Sequence, residues 1–437
     1  MADQHKIVIV GGGAGGLELA TRLGDKIGKN RAAITLIDES RTHIWKPLLH
    51  DVAAGVLDVG EDQLEYLAQA RWHHFRFLLG RMERLDRKER VVQLAPTFND
   101  EGDEIIPRRT FRYDTLVLAV GSICDDFGVS GVQEHCLFLD TTEQAVHFQK
   151  RLIDSLLRAH SLGGPESPTQ LHVVIVGGGA TGSELAAQLH YATHQLSAYG
   201  LDEVDPERDI KLTLIEAADR ILPVLPPRLS MAAHAQLTRL GIAVHVAERV
   251  VAVTPDGVRT ESDRFVAGGI MVWAAGIKAP EFLHNLDGLE TNRVNQLIVR
   301  PTLQTTRDKT IFAFGDCAAC PLGESDGQLV PPRAQAAHQQ ASLLVKSLRN
   351  QLAGRRLPEY VYRDYGSLVA LGKYSTVGTL MNRLFRGSVM IEGVVARLVY
   401  LSLYKGHQLA LFGWYRVALL TLANLLRRRV NPEIKLH

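Results

Sequence analysis

The residues best equipped for chemistry fall in two stretches built on one plan. Lys6 to Glu18 reads KIVIVGGGAGGLE, with glycines at 11, 13 and 16. Gly-x-Gly-x-x-Gly after an apolar run gives a tight turn, room for backbone to approach a pyrophosphate, and close packing of helix on strand. The helix start offers free N–H groups and a positive dipole end to phosphates. The next apolar run, Ile34 to Ile37, ends in Asp38, an acid placed to hold a ribose hydroxyl pair.

Residues 171–189 repeat residues 5–23 without a gap, and 12 of the 19 positions are identical. The turn glycines become Gly177, Gly179 and Gly182, and Glu184 stands where Glu18 stood. Leu212 to Ile215 then ends in Glu216, as the first copy ends in Asp38. That acid comes 34 residues after Gly182, longer than the usual ~20. The surplus, Thr193 to Asp209, reads as an extended helix and a polar loop. Two such folds imply two dinucleotides, or one dinucleotide and a vestige.

Three further groups could complete a site. Thr115 to Ala119 closes in Ala-Val-Gly-Ser around Gly121, and Ile270 to Ala274 closes in Ala-Ala-Gly-Ile around Gly276. Small strand ends of this kind let backbone pass close to a cofactor, and they also serve as plain turns. Thr310 to Phe314 runs into Gly315-Asp316, where an aspartate could hydrogen-bond a polyol. Pro331-Pro332 precedes a helical segment from Arg333 to about Arg349, with Gln335 and Gln339 on one face. Spacing alone makes those glutamines a solvated pair.

The elements that must position these groups follow from the whole chain. At 437 residues, two or three domains are expected. Hydrophobic content of 46% and charged content of 22% fit a globular protein, and a net charge of +1 gives no reason to expect nucleic acid. Trp72 to Leu94 reads as two or three strands, and Ser161 to Thr169 (SLGGPESPT) as a seam. The polar N-terminus leads into a structural strand rather than a signal peptide. Four cysteines (124, 136, 317 and 320) are too few for a disulfide scaffold, which suggests the cytosol. No metal site is expected.

The end of the chain differs. Residues 383–437 carry nine Lys or Arg against two acids, a net of +7. Val394 to Tyr404 and Leu409 to Leu426 are strongly apolar. On a helical wheel Leu411, Phe412, Trp414, Tyr415, Ala418, Leu419, Leu422, Leu425 and Leu426 share a face. Arg416, Thr421, Asn424, Arg427 and Arg428 lie opposite, with Val417 and Leu420 as exceptions. This pattern predicts a helix lying in the headgroup plane of a membrane surface, its arginines on anionic lipid. A core-packing or dimer-forming helix is the alternative, and the run is at the short limit for a span.

Taken together, these residues resemble a two-dinucleotide-binding-domain flavoprotein and, more narrowly, the type II NADH:quinone oxidoreductases. Residues 334–339, Ala-Gln-Ala-Ala-His-Gln, fit the AQxAxQ quinone-site motif of that family. His43 to His50 (HIWKPLLH) resembles its loop beside the flavin, and Tyr365 to Gly378 (YGSLVALGKYSTVG) its segment after the quinone helix. The resemblance covers essentially the whole chain and overrides the solvated-pair reading of the glutamines.

What the resemblance implies is an α/β fold with two Rossmann-like domains and a C-terminal membrane-associating amphipathic region at 381–437. The FAD domain would be discontinuous, 1–125 and 295–380, with the NADH domain, 126–294, inserted in it. FAD would lie on Gly11, Gly13 and Gly16, with Asp38 on its adenosine ribose, Asp316 on its ribityl chain, Gly121 alongside and Lys46 near the isoalloxazine. NADH would lie on Gly177, Gly179 and Gly182, with Gly276 alongside and Glu216 on the ribose, where a carboxylate repels the 2′-phosphate of NADPH. Gln335 and Gln339 would line the quinone passage. Glu184 would sit near the nicotinamide–flavin junction. Glu184, Lys373 and His338 are the candidates for proton supply. The implied enzyme is a respiratory NADH:quinone oxidoreductase that pumps no protons, peripheral on the cytoplasmic face of the cell membrane, with a homodimer possible. The competing readings are another flavin reductase, of disulfides, ferredoxin or sulfide, and an NADH-sensing flavoprotein with little turnover. Cys317-Ala-Ala-Cys320 has redox-pair spacing, but it follows Gly315-Asp316 and no cysteine precedes position 124.

Overall fold

The computed structural model describes residues 4–167, 169–323, 327–371, 375–382, 387–427 and 434–435. The chain opens with β1 (His5–Val10), α1 (Ala14–Leu23), β2 (Ala32–Asp38) and α2 (Leu49–Ala53). It continues through β3 (Arg76–Leu79), β4 (Thr115–Leu118), β5 (Cys136–Phe138) and α3 (Thr142–Ser161). Then come β6 (His172–Val176), α4 (Ala180–Ala198), β7 (Lys211–Ile215), β8 (Ala243–His245) and β9 (Ile270–Trp273). The last elements used below are β10 (Ile311–Ala313), α5 (Ala334–Leu352), β11 (Gly366–Leu371), β12 (Ser375–Asn382), β13 (Gly387–Glu392) and α6 (Gly393–Arg427).

These elements form two compact units. One comprises Met1–Trp45, Gln63–Ile123 and Ile277–Asp364, and the other Lys46–Asp62, Cys124–Gly276 and Tyr365–His437. Their limits differ from the domain boundaries read from sequence, because residues 46–62, 124–125 and 365–437 group with the second unit and residues 277–294 with the first.

The first unit is built on a parallel sheet ordered β10-β4-β1-β2-β3. Its register sets Val10 beside both Ile37 and Leu118, and Leu118 beside Ala313. Parallel strands share one C-terminal edge, where Gly11, Asp38, Gly121 and Asp316 fall. Ile7 to Val10 and Thr115 to Leu118 are buried throughout, as a sheet covered on both faces requires. α5 packs on α1 and starts after the Pro331-Pro332 pair, as the sequence predicts.

The second unit repeats the plan with a parallel sheet ordered β5-β9-β6-β7-β8. Val176 lies beside Ile215 and Trp273, so Gly177, Glu216 and Gly276 again follow strands that end on one edge. α4 has 19 residues, which absorbs part of the surplus noted before Glu216. The unit adds an antiparallel sheet, β11-β12-β13, which the sequence reading did not assign. Lys373 lies outside the described residues.

α6 contains both apolar segments of the C-terminal region but is two helices in one, broken at Gly413 (φ 74°, ψ 168°). The continuous wheel drawn from residue 411 therefore needs correction, because the break resets the phase. Beyond it, Trp414, Tyr415, Leu419, Leu422 and Leu426 form an exposed apolar stripe, while Val417 is buried. The Val417 that interrupted the polar face is thus the residue that packs inward. Among the described residues no helix is long and apolar enough to cross a membrane. Residues 434–435 pack on the same unit as α6. Ile434 is buried, and the Lys435 N–H donates to the Gly55 carbonyl at 2.8 Å. Gln149 on α3 donates to the Lys435 carbonyl at 2.9 Å, and the Lys435 ammonium lies 3.7 Å from Asp58.

Candidate functional site

The two glycine turns are open where the start of α3 is closed. α3 closes its own N-terminus: Thr141 accepts from the Gln144 N–H, and Gln144 accepts from the Thr141 N–H. α1 and α4 begin at Gly13 and Gly179 with no side-chain cap and no acid in the first turn. Their first N–H groups remain for an external acceptor. A Cβ built on Gly13 or Gly179 meets no atom within 4 Å, so the space above each helix start is clear. A Cβ on Gly16 or Gly182 would strike the carbonyl oxygen of Gly11 or Gly177. Gly13 and Gly179 thus serve approach from outside, and Gly16 and Gly182 serve internal packing.

Each acid is held on its own turn. Gly12 N–H donates to Asp38 Oδ2 at 2.5 Å and Ser40 N–H to Oδ1 at 2.8 Å. Gly178 N–H donates to Glu216 Oε2 at 2.6 Å and Ala218 N–H to Oε1 at 2.8 Å. An ionised carboxylate has lone pairs beyond these bonds for two ribose hydroxyls. Open helix starts, clear space and a fixed acid fit the adenosine and pyrophosphate of a dinucleotide at both turns.

In the first unit Asp316 Oδ2 accepts from the Ser122 hydroxyl at 3.0 Å, and Gln340 accepts from the Gly315 N–H at 2.8 Å. Gln296 donates to the Asp316 carbonyl at 2.9 Å. Gly121 and Gly276 both adopt positive φ, 71° and 63°. The Gly315-Asp316 turn is therefore held from three sides, and a polyol-binding role suits it. Cys317 and Cys320 are buried free thiols. Burial pushes Cys317 up to about 11 and Cys320 to about 12, against the thiolate a redox pair needs.

Gln335 and Gln339 do share a face of α5, and both reach the same extended segment. Gln335 donates to Asp364 at 3.2 Å, and Arg333 reaches that carboxylate at 3.3 Å. Gln339 donates to the Arg363 carbonyl at 2.8 Å and accepts the Arg363 N–H at 3.0 Å. Lys46 pairs with Asp140 at 3.2 Å, and Asp140 also accepts the Cys124 N–H.

The two equivalent glutamates have different company. Glu18 is clamped by Arg22 at 2.6 Å and His338 Nδ1 at 2.5 Å, so His338 ties α5 to α1. Glu184, on α4, has no arginine one turn on; Gln188 is there instead. Its Oε1 accepts the Ala370 N–H at 2.9 Å, and its Oε2 lies 3.6 Å from His50 Nδ1. Burial pushes Glu184 up to about 7, with Asp51 adding to the rise while His50 and the Ala370 N–H oppose it. A carboxyl near neutrality can hold and release a proton at working pH. Sequence reading missed His50 because it lies far from Glu184 in the chain. It missed Ser122 and Gln340 although they adjoin the groups it named, since only folding directs them at the Gly315-Asp316 turn.

Comparison with known proteins agrees with this geometry. The family described as pyridine nucleotide-disulphide oxidoreductase matches residues 5–341. A protein of Haemophilus influenzae named type II NADH:quinone oxidoreductase is 42% identical over 444 aligned residues, 99% of each chain. A Staphylococcus aureus protein of the same name is 26% identical over 391 residues, covering 88% of this chain and 92% of that one. In fold, the chain matches the structure of NDH2 from Plasmodium falciparum in complex with NADH. The TM-score is 0.82, with 18% identity and coverage of 99% and 100%. The chain belongs to the pyridine nucleotide-disulphide oxidoreductases and, within them, to the type II NADH:quinone oxidoreductase family.

Proposed function

We infer that this chain is an FAD-dependent NADH:quinone oxidoreductase that passes two electrons from NADH to a quinone without pumping protons. The observation that carries the reading is the doubled turn. Each copy keeps an open helix start and its own fixed acid, in a chain 42% identical over its length to a type II enzyme. In this reading Gly11, Gly13, Gly16 and Asp38 hold the adenosine half of FAD, with Gly121 and Asp316 toward its ribityl chain and Lys46 toward its ring. Gly177, Gly179, Gly182, Glu216 and Gly276 hold NADH. Bound FAD supplies a two-electron carrier that takes hydride from NADH and returns both electrons to quinone. Glu184 holds a proton in a dry site. Gln335 and Gln339 act as positioning residues, pinning residues 363–364 along α5 beside the quinone passage.

The test is a titration of the purified yellow protein without oxygen. NADH bleaches it, and a short-chain soluble quinone restores the colour. Failure to bleach, or a bleached state that quinone leaves unchanged, would overturn the reading. Double replacement Cys317→Ser with Cys320→Ser leaves turnover intact if those thiols only pack.

Membrane association belongs to the same proposal. The stripe of Trp414, Tyr415, Leu419, Leu422 and Leu426 in a segment of net +7 fits an anionic lipid surface. Oxidation of cytosolic NADH then sets the protein on the cytoplasmic face. Leu419→Glu with Leu422→Glu abolishes pelleting with phosphatidylserine vesicles while soluble-quinone turnover persists. Unchanged pelleting with loss of a dimer in solution would assign the stripe to a second copy instead.

A further inference from the structure

Glu184 is one end of a row of three groups within the second unit. α2 brings His50 against it, with Nδ1 3.6 Å from Glu184 Oε2 and Nε2 3.6 Å from Asp51 Oδ1. The other carboxyl oxygen of Glu184 is occupied by the Ala370 N–H at 2.9 Å, so only Oε2 faces the ring. Side-chain exposure is 8% at Glu184, 5% at His50 and 22% at Asp51. The row therefore starts at a group that solvent reaches and ends at one it does not. A histidine between two carboxylates, one at each ring nitrogen, can take a proton on one side and release one on the other.

We propose that Asp51, His50 and Glu184 form a proton-delivery row from the surface to the buried carboxyl, with His50 as its positioning residue. The proposal rests on the assignment of Glu184 as the proton-holding group. Its demand is set by the reaction: NADH, quinone and one proton give NAD⁺ and quinol, so each turnover draws one proton from solvent. In the row a proton reaches Nε2 from the Asp51 side, and the imidazolium gives its Nδ1 proton to the Glu184 carboxylate. The ring is left neutral, and no electron is gained or lost by any of the three groups. The contacts are ion-pair distances rather than hydrogen bonds, so transfer requires the ring to close on each partner in turn. Among the described residues, the charged groups facing Glu184 are His50 and Asp51 from α2. β11 contributes the neutral Ala370 N–H, and α4 itself contributes Gln188.

Infrared titration of the full-length FAD-bound protein tests this, with Glu184→Gln identifying the carboxyl band. The native midpoint is expected near 7. His50→Gln moves it up, because the ring interaction that favours the carboxylate is gone. Asp51→Asn moves it down, because a like charge is gone. His50→Gln also slows turnover above neutrality by about tenfold, below the range of a directly acting acid, with recovery as pH falls and NADH affinity unchanged. Midpoints that stay put, or that both move one way, overturn the row. Glu184→Gln with native turnover overturns the Glu184 assignment itself, whatever the midpoints do. If His50→Gln does not fold, the downward shift in Asp51→Asn decides the matter alone.

Discussion

Glu18 and Glu184 occupy the same place in two copies of one turn, yet their surroundings give them opposite characters. Each stands two residues after the last turn glycine, and each is buried. Glu18 has Arg22 one helical turn on and His338 from α5. Glu184 has Gln188 at the matching position, and among the described residues the imidazole that pairs with it is His50 at 3.6 Å. A buried carboxylate with an arginine is a structural ion pair. The same carboxylate without one becomes an acid near neutrality. Arginine against glutamine one turn on, with His338 at 2.5 Å against His50 at 3.6 Å, therefore separates a clamp from a buried acid near neutrality.

The contrast can be broken most directly by making both glutamates glutamine. Glu184→Gln is expected to slow turnover by about 100-fold with little change in NADH affinity, while Glu18→Gln keeps turnover and lowers the thermal midpoint. Equal losses of turnover, measured by steady-state kinetics, would erase the distinction. Glu184→Gln should also flatten the pH profile near 7, because the native acid loses its proton as pH rises through about 7. The unfolded chain releases that proton at the ordinary 4.5, so the protonated group's contribution to stability is complete below 4.5 and gone above about 7. Melting across that window checks the sign.

The next effect separates the two turns by cargo. Gly13→Ala folds but is isolated without flavin, since its Cβ enters the clear space over α1. Gly179→Ala stays yellow and raises the NADH KM about tenfold, a loss of 1.4 kcal/mol. Flavin lost from Gly179→Ala, read in the absorption spectrum, would reverse the assignment. Smaller still, Glu216→Gln should narrow the preference for NADH over NADPH by several-fold, and Asp38→Asn should not. The smallest expected change is in Arg22→Gln, which costs about 1 kcal/mol of stability with turnover retained; calorimetry reads it.

Much of this arrangement was readable from residue order. Glycines at fixed offsets after an apolar run, with an acid closing the next run, admit few structures, and both parallel sheets follow from them. The helix at 334–352 was announced by its proline pair. What escaped depends on contacts between distant residues. His50 meets Glu184 only because α2 folds back on α4. The partners of Gln335 and Gln339 are two residues of an extended segment with no motif of its own. The break in α6 rests on one glycine within a long apolar run, where a helical wheel assumes continuity. The β11-β12-β13 sheet is defined by antiparallel pairing between its strands, which their composition alone does not announce.

The docking of Ile434 and Lys435 ties the residues past α6 to the segment beside Glu184. Gln149 grips a carbonyl 286 residues further along the chain, and Gly55, just past the α2 helix that carries His50 and Asp51, accepts from the same lysine. The segment beside Glu184 is thus held in place from residue 435, and a variant lacking residues 434–435 keeps both nucleotide turns but loses the tie on this segment.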